Sequence, residues 1–163
     1  MPRQARVKAT TVFLSILICL ILSGIWLARA RAKMQAVDAG IAFAQLVELR
    51  DSAKVESLMV IPPSLVEKTP LERKALIFEL LTSEISSEGA KQIASKGQFG
   101  PLKDVFPNDA AQWAAGVPID DCVAFRMERE GIRAELVLLK SADKHLVLRC
   151  NNVRQMAGEI SQP

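Results

Sequence analysis

The chain carries one histidine, His145, and three cysteines, Cys19, Cys122 and Cys150. A Ser/His/Asp relay needs an imidazole placed against a nucleophile, and a zinc site needs several His or Cys ligands at short spacing. A single histidine beside a hairpin turn fits neither, and it reads as an exposed strand-end residue. Asp120 and Asp121 are adjacent, so on an extended strand they point to opposite sides, and no third acid is near enough in sequence to complete a cation site. They read as the start of a strand. Asn151-Asn152 with Arg149 and Arg154 ends a strand with polar groups suited to a ligand or, more plainly, to capping. Gly97-Gln98-Phe99-Gly100-Pro101 has the glycine spacing of a phosphate loop without its Gly-Lys-Ser/Thr ending or a preceding strand, and reads as a turn. The chain is therefore expected to be non-catalytic, with no cofactor and no metal. An enzyme of the hydrolase or isomerase kind would have to use Asp120, Asp121 or His145 in a cleft that the sequence does not announce.

The elements that must position these residues begin with an apolar run, Thr10 to Ala28, flanked by Arg3, Arg6 and Lys8 before it and by Arg29, Arg31 and Lys33 after it. As a helix it spans roughly 28 Å, near the thickness of a bilayer's hydrocarbon layer. Trp26 stands where an interfacial anchor belongs, with Arg29, Arg31 and Lys33 beyond it at the headgroups. A cleaved signal peptide is the rival, since Ala28-Arg29-Ala30 and Ala30-Arg31-Ala32 have the small-x-small form. The run is longer than a signal's apolar core, and basic residues crowd the would-be cleavage site, which argues for an uncleaved anchor. Cys19 follows the bulky Ile18, unlike a lipoprotein attachment site. Flanking charge is balanced, and only the N-terminal amine tips the orientation. The expectation is a single-pass protein whose C-terminal part lies on the periplasmic or extracellular side.

The remainder, 34–163, is the size of one domain, after an anchor at 1–33. The net charge of +3 comes largely from the flanks of the apolar run. No basic stripe interleaved with aromatics follows, which speaks against nucleic acid as a partner.

Val37, Ile41, Ala44 and Val47, widened by Phe43, Leu46 and Leu49, recur at helical spacing from Met34 to Asp51. No proline separates this stretch from the apolar run, so one helix can continue through 28–33, with Gly40 its weak point. Ser52 is placed to cap a short helix through Val55, Leu58 and Met59, stopped by Pro62-Pro63. Thr69-Pro70-Leu71-Glu72 combines an N-cap, a proline at the first helical position and a glutamate at the third, predicting a helix to about Ser83 that buries Leu71, Ala75, Phe78 and Leu81. Serines 86 and 87 open a further helix through Ala90 and Ile93, stopped at Gly97. A loop then reaches Pro107, and Asn108 is placed to cap a brief helix carrying Trp113, ended by Gly116.

The last third alternates with period two. Pairing Arg129 with Ile132 across a Glu130-Gly131 turn sets Glu128 against Arg133 and Arg126 against Glu135. A second hairpin around Ser141-Ala142-Asp143, pairing Lys140 with Lys144, sets Glu135 against Arg149 and Val137 against Val147. The inner face then has rows Val123, Leu138, Leu146; Phe125, Leu136, Leu148; and Met127, Ala134, Cys150. Cys122 falls outside with Leu139 and His145, so Cys122 and Cys150 are expected as free thiols. The outer face is apolar at one end, where Ala124, Val137, Leu139 and Val147 gather. That patch calls for a cover, either a partner, a second copy of the chain, or the domain's own N-terminal helices.

The expected architecture is α+β: one transmembrane helix, then several helices packed on a C-terminal three-stranded antiparallel meander. Helices leading into a curved meander resemble the nuclear transport factor 2-like cone in outline, a likeness of fold that implies no activity. Two functions follow as expectations. The first is a membrane-anchored, non-catalytic interaction or accessory protein with the bilayer as one partner. The second is a small-ligand-binding domain with a pocket between helices and sheet, lined by Phe125, Leu136 and Trp113.

Overall fold

A computed structural model describes residues 3–142 and 144–157, with side chains from residue 13 onward. The chain divides into two units, Met1–Met34 and Gln35–Pro163. Helix α1 (Arg3–Glu48) runs without a break through 28–33 and past Gly40. Its stretch from Phe13 is long and apolar enough to cross a membrane, and none of its most apolar window is buried against protein. Trp26 is 72% exposed, and the Ser23 hydroxyl donates to the Cys19 carbonyl one turn back, so this polar side chain is satisfied without water.

In the second unit the buried face of α1 is Ala36, Gly40, Phe43, Ala44 and Val47, while Leu49 is fully outside it. Gly40 is no weak point. A Cβ there would stand 2.8 Å from Leu136 Cδ2, so the missing side chain lets the helix backbone settle onto the sheet. Helix α2 (Ser52–Ser57) is capped by Asp51 rather than Ser52, the Asp51 carboxylate accepting from the Lys54 amide at 3.3 Å. Pro62-Pro63 does not end a helix but begins one, α3 (Pro63–Val66), with proline in the first turn where no amide is needed. Helix α4 (Pro70–Glu84) has the full capping box: Glu72 accepts from the Thr69 amide at 3.0 Å and Thr69 Oγ1 accepts from the Glu72 amide at 3.4 Å. Its inward side is centred on Ile77, with Leu76, Phe78 and Leu81 partly buried, and leaves Leu71 and Ala75 exposed. The stripe is rotated because several adjoining positions are apolar and packing decides among them.

Helix α5 (Ser87–Lys96) is capped by Ser86 and further held by Glu48, whose carboxylate accepts from the Ser87 amide at 2.8 Å. Gly97 ends it in an extended conformation, and a Cβ there would meet the Ile93 carbonyl oxygen at 2.4 Å. The stretch expected as a loop contains an edge strand, β1 (Gln98–Pro101), followed by α6 (Leu102–Val105) and α7 (Ala110–Ala114). A 3-10 turn at Ile119–Asp121 leads into β2 (Cys122–Arg129), β3 (Ile132–Ser141) and β4 (Lys144–Asn151). The sheet therefore has four antiparallel strands in order β1-β2-β3-β4, not three.

Helices α1, α4 and α5 cover one face, where Phe43, Ile77, Ile93, Phe125, Leu136, Leu138 and Val147 form the main core. Helices α6 and α7 cover the other with a smaller cluster of Leu102, Val105, Phe106, Ala114, Cys122, Ala124 and Val137. A strand covered on both sides reads as a continuous apolar run, which is the character of β3. Backbone pairing of Leu58 and Val60 with Val147, at 2.8 Å in each direction, occupies the free edge of β4.

Candidate functional site

The β2–β3 register is the expected one, with Arg126 opposite Glu135 and Glu128 opposite Arg133. Glu130 and Gly131 both take positive φ, 54° and 82°, as a two-residue primed turn requires. The second hairpin differs. Ser141 pairs with Lys144, so the loop has two residues rather than three, one of which, Asp143, lies outside the described residues. Every β4 partner is thereby shifted by one place. A bulge at Leu148 then shifts it once more, because Leu138 faces Val147 while Val137 faces Arg149.

The bulge builds the site. Had the regular pairing continued, Arg149 would oppose Leu136 in the main core, where an unpaired guanidinium is very costly. The extra residue turns Arg149 to the α6–α7 side and returns Cys150 to the core opposite Leu136. It also sets Asn151 opposite Glu135, and Asn151 Nδ2 donates to Glu135 Oε2 at 3.0 Å.

The result is a cleft of about 400 Å³ between the polar end of the sheet and the α6–α7 segment. Its floor is Arg126, Arg133, Glu135, Arg149 and Asn151, and its wall is Phe106 and Trp113. The two rings stack with centroids 4.9 Å apart. Arg126 lies over Phe106 at 5.5 Å and Arg149 over Trp113 at 5.0 Å. Arg149 also donates to the Gln112 carbonyl at 2.9 Å. A guanidinium stacked on a ring keeps its in-plane N–H donors directed outward from its edge, suited to a planar acid group. Glu135 is 4% exposed, the one buried carboxylate among the described residues.

The sequence-derived candidates land in different places. Asn151, Asn152, Arg149 and Trp113 come together in this cleft, whereas Arg154 turns away and donates to the Thr82 carbonyl at 2.7 Å. His145 is not an exposed strand end. The shifted register puts it on the side of Val147, it is 8% exposed, and burial, with Lys140 beside it, lowers its pKa. Asp120 pairs with Lys103 at 2.9 Å on the surface, which raises the Lys103 pKa. No three His, Cys, Asp or Glu side chains gather to hold a metal among the described residues. Gly97–Pro101 is the end of α5 and strand β1, and Phe99 packs on Phe125 with centroids 4.7 Å apart.

Of the apolar patch, Ala124 and Val137 are fully buried and Leu139 partly so, beneath α6, α7 and the turn before β2 rather than beneath N-terminal helices. Val147 belongs to the other face, in the main core, and Leu146 and Leu148 are off the inner rows. Phe125 and Leu136, expected to line an inner pocket, are 1% and 2% exposed within that core. Cys122 and Cys150 are free thiols on opposite faces. Burial raises the Cys122 pKa, and burial, with Glu84 nearby, pushes Cys150 up to about 12. Cys122 Sγ donates to the Pro118 carbonyl at 3.5 Å.

Sequence reasoning missed Phe106 as a site residue and read Arg126, Arg133 and Glu135 only as members of opposite-charge cross-strand pairs. The available signal was the gathering of Arg126, Glu135 and Arg149 on one face together with a nearby tryptophan. No protein-family model, no curated protein and no solved structure matches this chain, and the resemblance to the cone fold gains no support from the comparison.

Proposed function

We propose that the chain is a single-pass, membrane-anchored, non-catalytic binding domain that takes a small ligand in the cleft between the sheet and α6–α7. One observation carries this reading: a concave site of about 400 Å³, in volume within the roughly 300–1,000 Å³ usual for small-molecule sites, built from charged sheet residues against an aromatic wall. The anchor rests on the length and apolarity of α1 between its basic flanks. The C-terminal domain is proposed to lie on the periplasmic or extracellular side, the three basic residues on each flank of the apolar run being balanced.

The test is a photoreactive amino acid at Gln112, whose exposed side chain lines the cleft. Irradiation of intact membranes is expected to give a covalent adduct of small added mass on the peptide carrying position 112. Absence of any adduct, with normal membrane insertion and fold, would defeat the reading.

A second reading, an accessory protein that docks another protein, is favoured by α4. Leu71 is 79% and Leu80 60% exposed, and Leu71, Ala75 and Phe78 line an open groove with Arg50, Lys74 and Glu79. Leu71→Asp should abolish co-purification of a partner there while leaving thermal stability unchanged.

A further inference from the structure

The cleft's preference lies in which of its charged groups are already engaged. Three arginines, Arg126, Arg133 and Arg149, line it with two carboxylates, Asp109 and Glu135, and Glu128 beside Arg133 balances the third guanidinium. The carboxylates are not equivalent. Glu135 is buried, takes a hydrogen bond from Asn151 and stands opposite Arg126 in the sheet, while Asp109 is on the exposed rim.

The arginines differ too. Arg133 is engaged with Glu128 at 3.6 Å, and Arg149 has given one donor to the Gln112 carbonyl. Arg126 is half-buried, and the one interaction of its guanidinium among the described residues is the stack on Phe106. Its guanidinium is thus held by packing while its hydrogen-bonding edge is unspent. Planar guanidinium edges match carboxylate and phosphate oxygens in pairs, and such bonds are about twice as strong as neutral ones.

Resting on the reading of this cleft as the binding site, we infer that its ligand is a small organic oxyanion, a carboxylate or phosphate ester. Its acid group is held by Arg126 and Arg149, and its apolar body lies against the part-exposed Trp113, which is backed by the buried Phe106. Asn151 and Asn152 at the same end each donate once already, to Glu135 Oε2 at 3.0 Å and to the Arg133 carbonyl at 3.2 Å, and each keeps a second neutral N–H that suits an oxyanion's remaining lone pairs. The bulge at Leu148 is what brings Arg149 to this task, so the fold irregularity and the ligand preference have one cause.

The chain has two tryptophans, so Trp26→Phe leaves Trp113 as sole reporter. The full chain in an uncharged maltoside detergent is titrated with benzoate, phenyl phosphate, benzamide and benzamidine. Saturable quenching is expected for benzoate or phenyl phosphate, at least tenfold tighter than for benzamide, with none for benzamidine. Arg126→Gln and, separately, the exposed Arg149→Gln should each weaken the anion by tenfold or more with far-UV circular dichroism unchanged. Arg126→Lys, which keeps the charge and loses the fork, should recover only part of the affinity.

Equal binding of benzoate and benzamide, tighter binding of benzamidine, or anion affinity unmoved in both glutamine variants would overturn the inference. Any of these leaves the cleft standing as a ligand site. Absence of saturation with all four probes also overturns the inference, whereas the wider reading fails separately, on the lack of an adduct at position 112.

Discussion

Arg149 shows how little a residue's type says about its duty until its backbone is placed. In a regular β4 it would point into the core; the bulge sends it to the aromatic wall and takes Cys150 inside instead. Cys150 has consequences that can be measured. Its folded pKa of about 12 lies above the ordinary thiol value of 9.0, so the folded state holds its proton where the unfolded state has lost it. The stability contributed by this thiol is therefore complete below pH 9 and is lost as pH rises toward 12. Thermal melts across this window should show an alkaline decline that Cys150→Ala reduces. Iodoacetamide at pH 8 should leave Cys122 and Cys150 unmodified in the native chain and label both in urea, because burial disfavours the reactive thiolate at each.

At the scale of elements, close approach of backbones sets several positions that look like simple breaks. A Cβ at Gly89 would lie 1.7 Å from the Val153 carbonyl oxygen, so α5 and the chain after β4 touch there backbone to backbone. Gly89→Ala should cost about 1–3 kcal/mol in urea unfolding, as overpacking does. Gly40→Ala should cost less, since its obstacle is the tip of the Leu136 side chain, which is able to turn aside. The α4 capping box makes a separate prediction. Thr69 hydrogen bonds lower the Glu72 pKa, so their contribution is present above the ordinary value of 4.5 and disappears as pH falls through the lower folded value. Thr69→Ala should cost about 1 kcal/mol at neutral pH and less at pH 3.

At the scale of the whole molecule, the second unit closes both faces of its sheet with its own helices. What it leaves open is the polar cleft and the groove beside Leu71 on α4, and the covered patch of Ala124 and Val137 no longer calls for a partner. The first unit leaves its apolar side chains from Phe13 to Leu27 exposed, which in water would promote aggregation and in a bilayer is the normal state. The intact chain should sediment with membranes and resist alkaline carbonate. Leu17→Arg combined with Ile21→Arg should move it to the soluble or aggregated fraction, since each arginine near mid-helix costs about 2.5–3.5 kcal/mol of insertion free energy.

Local signals were enough for much of this. The apolar run, the Thr69–Glu72 box, the Ser86 cap, the Glu130-Gly131 turn and the whole β2–β3 register follow from a few neighbouring residues, because capping, turn geometry and side-chain alternation act over short spans of chain. Tertiary structure alone decided the rest. Strand β1 has too little alternation to declare itself and exists because β2 offers it an edge. The buried side of α4 was chosen by packing among competing apolar positions. The site depended on one loop residue and one bulge in β4, since with a side-chain period of two the shorter loop moves His145 and Val147 across the sheet and the bulge alone restores Arg149 to the outer face.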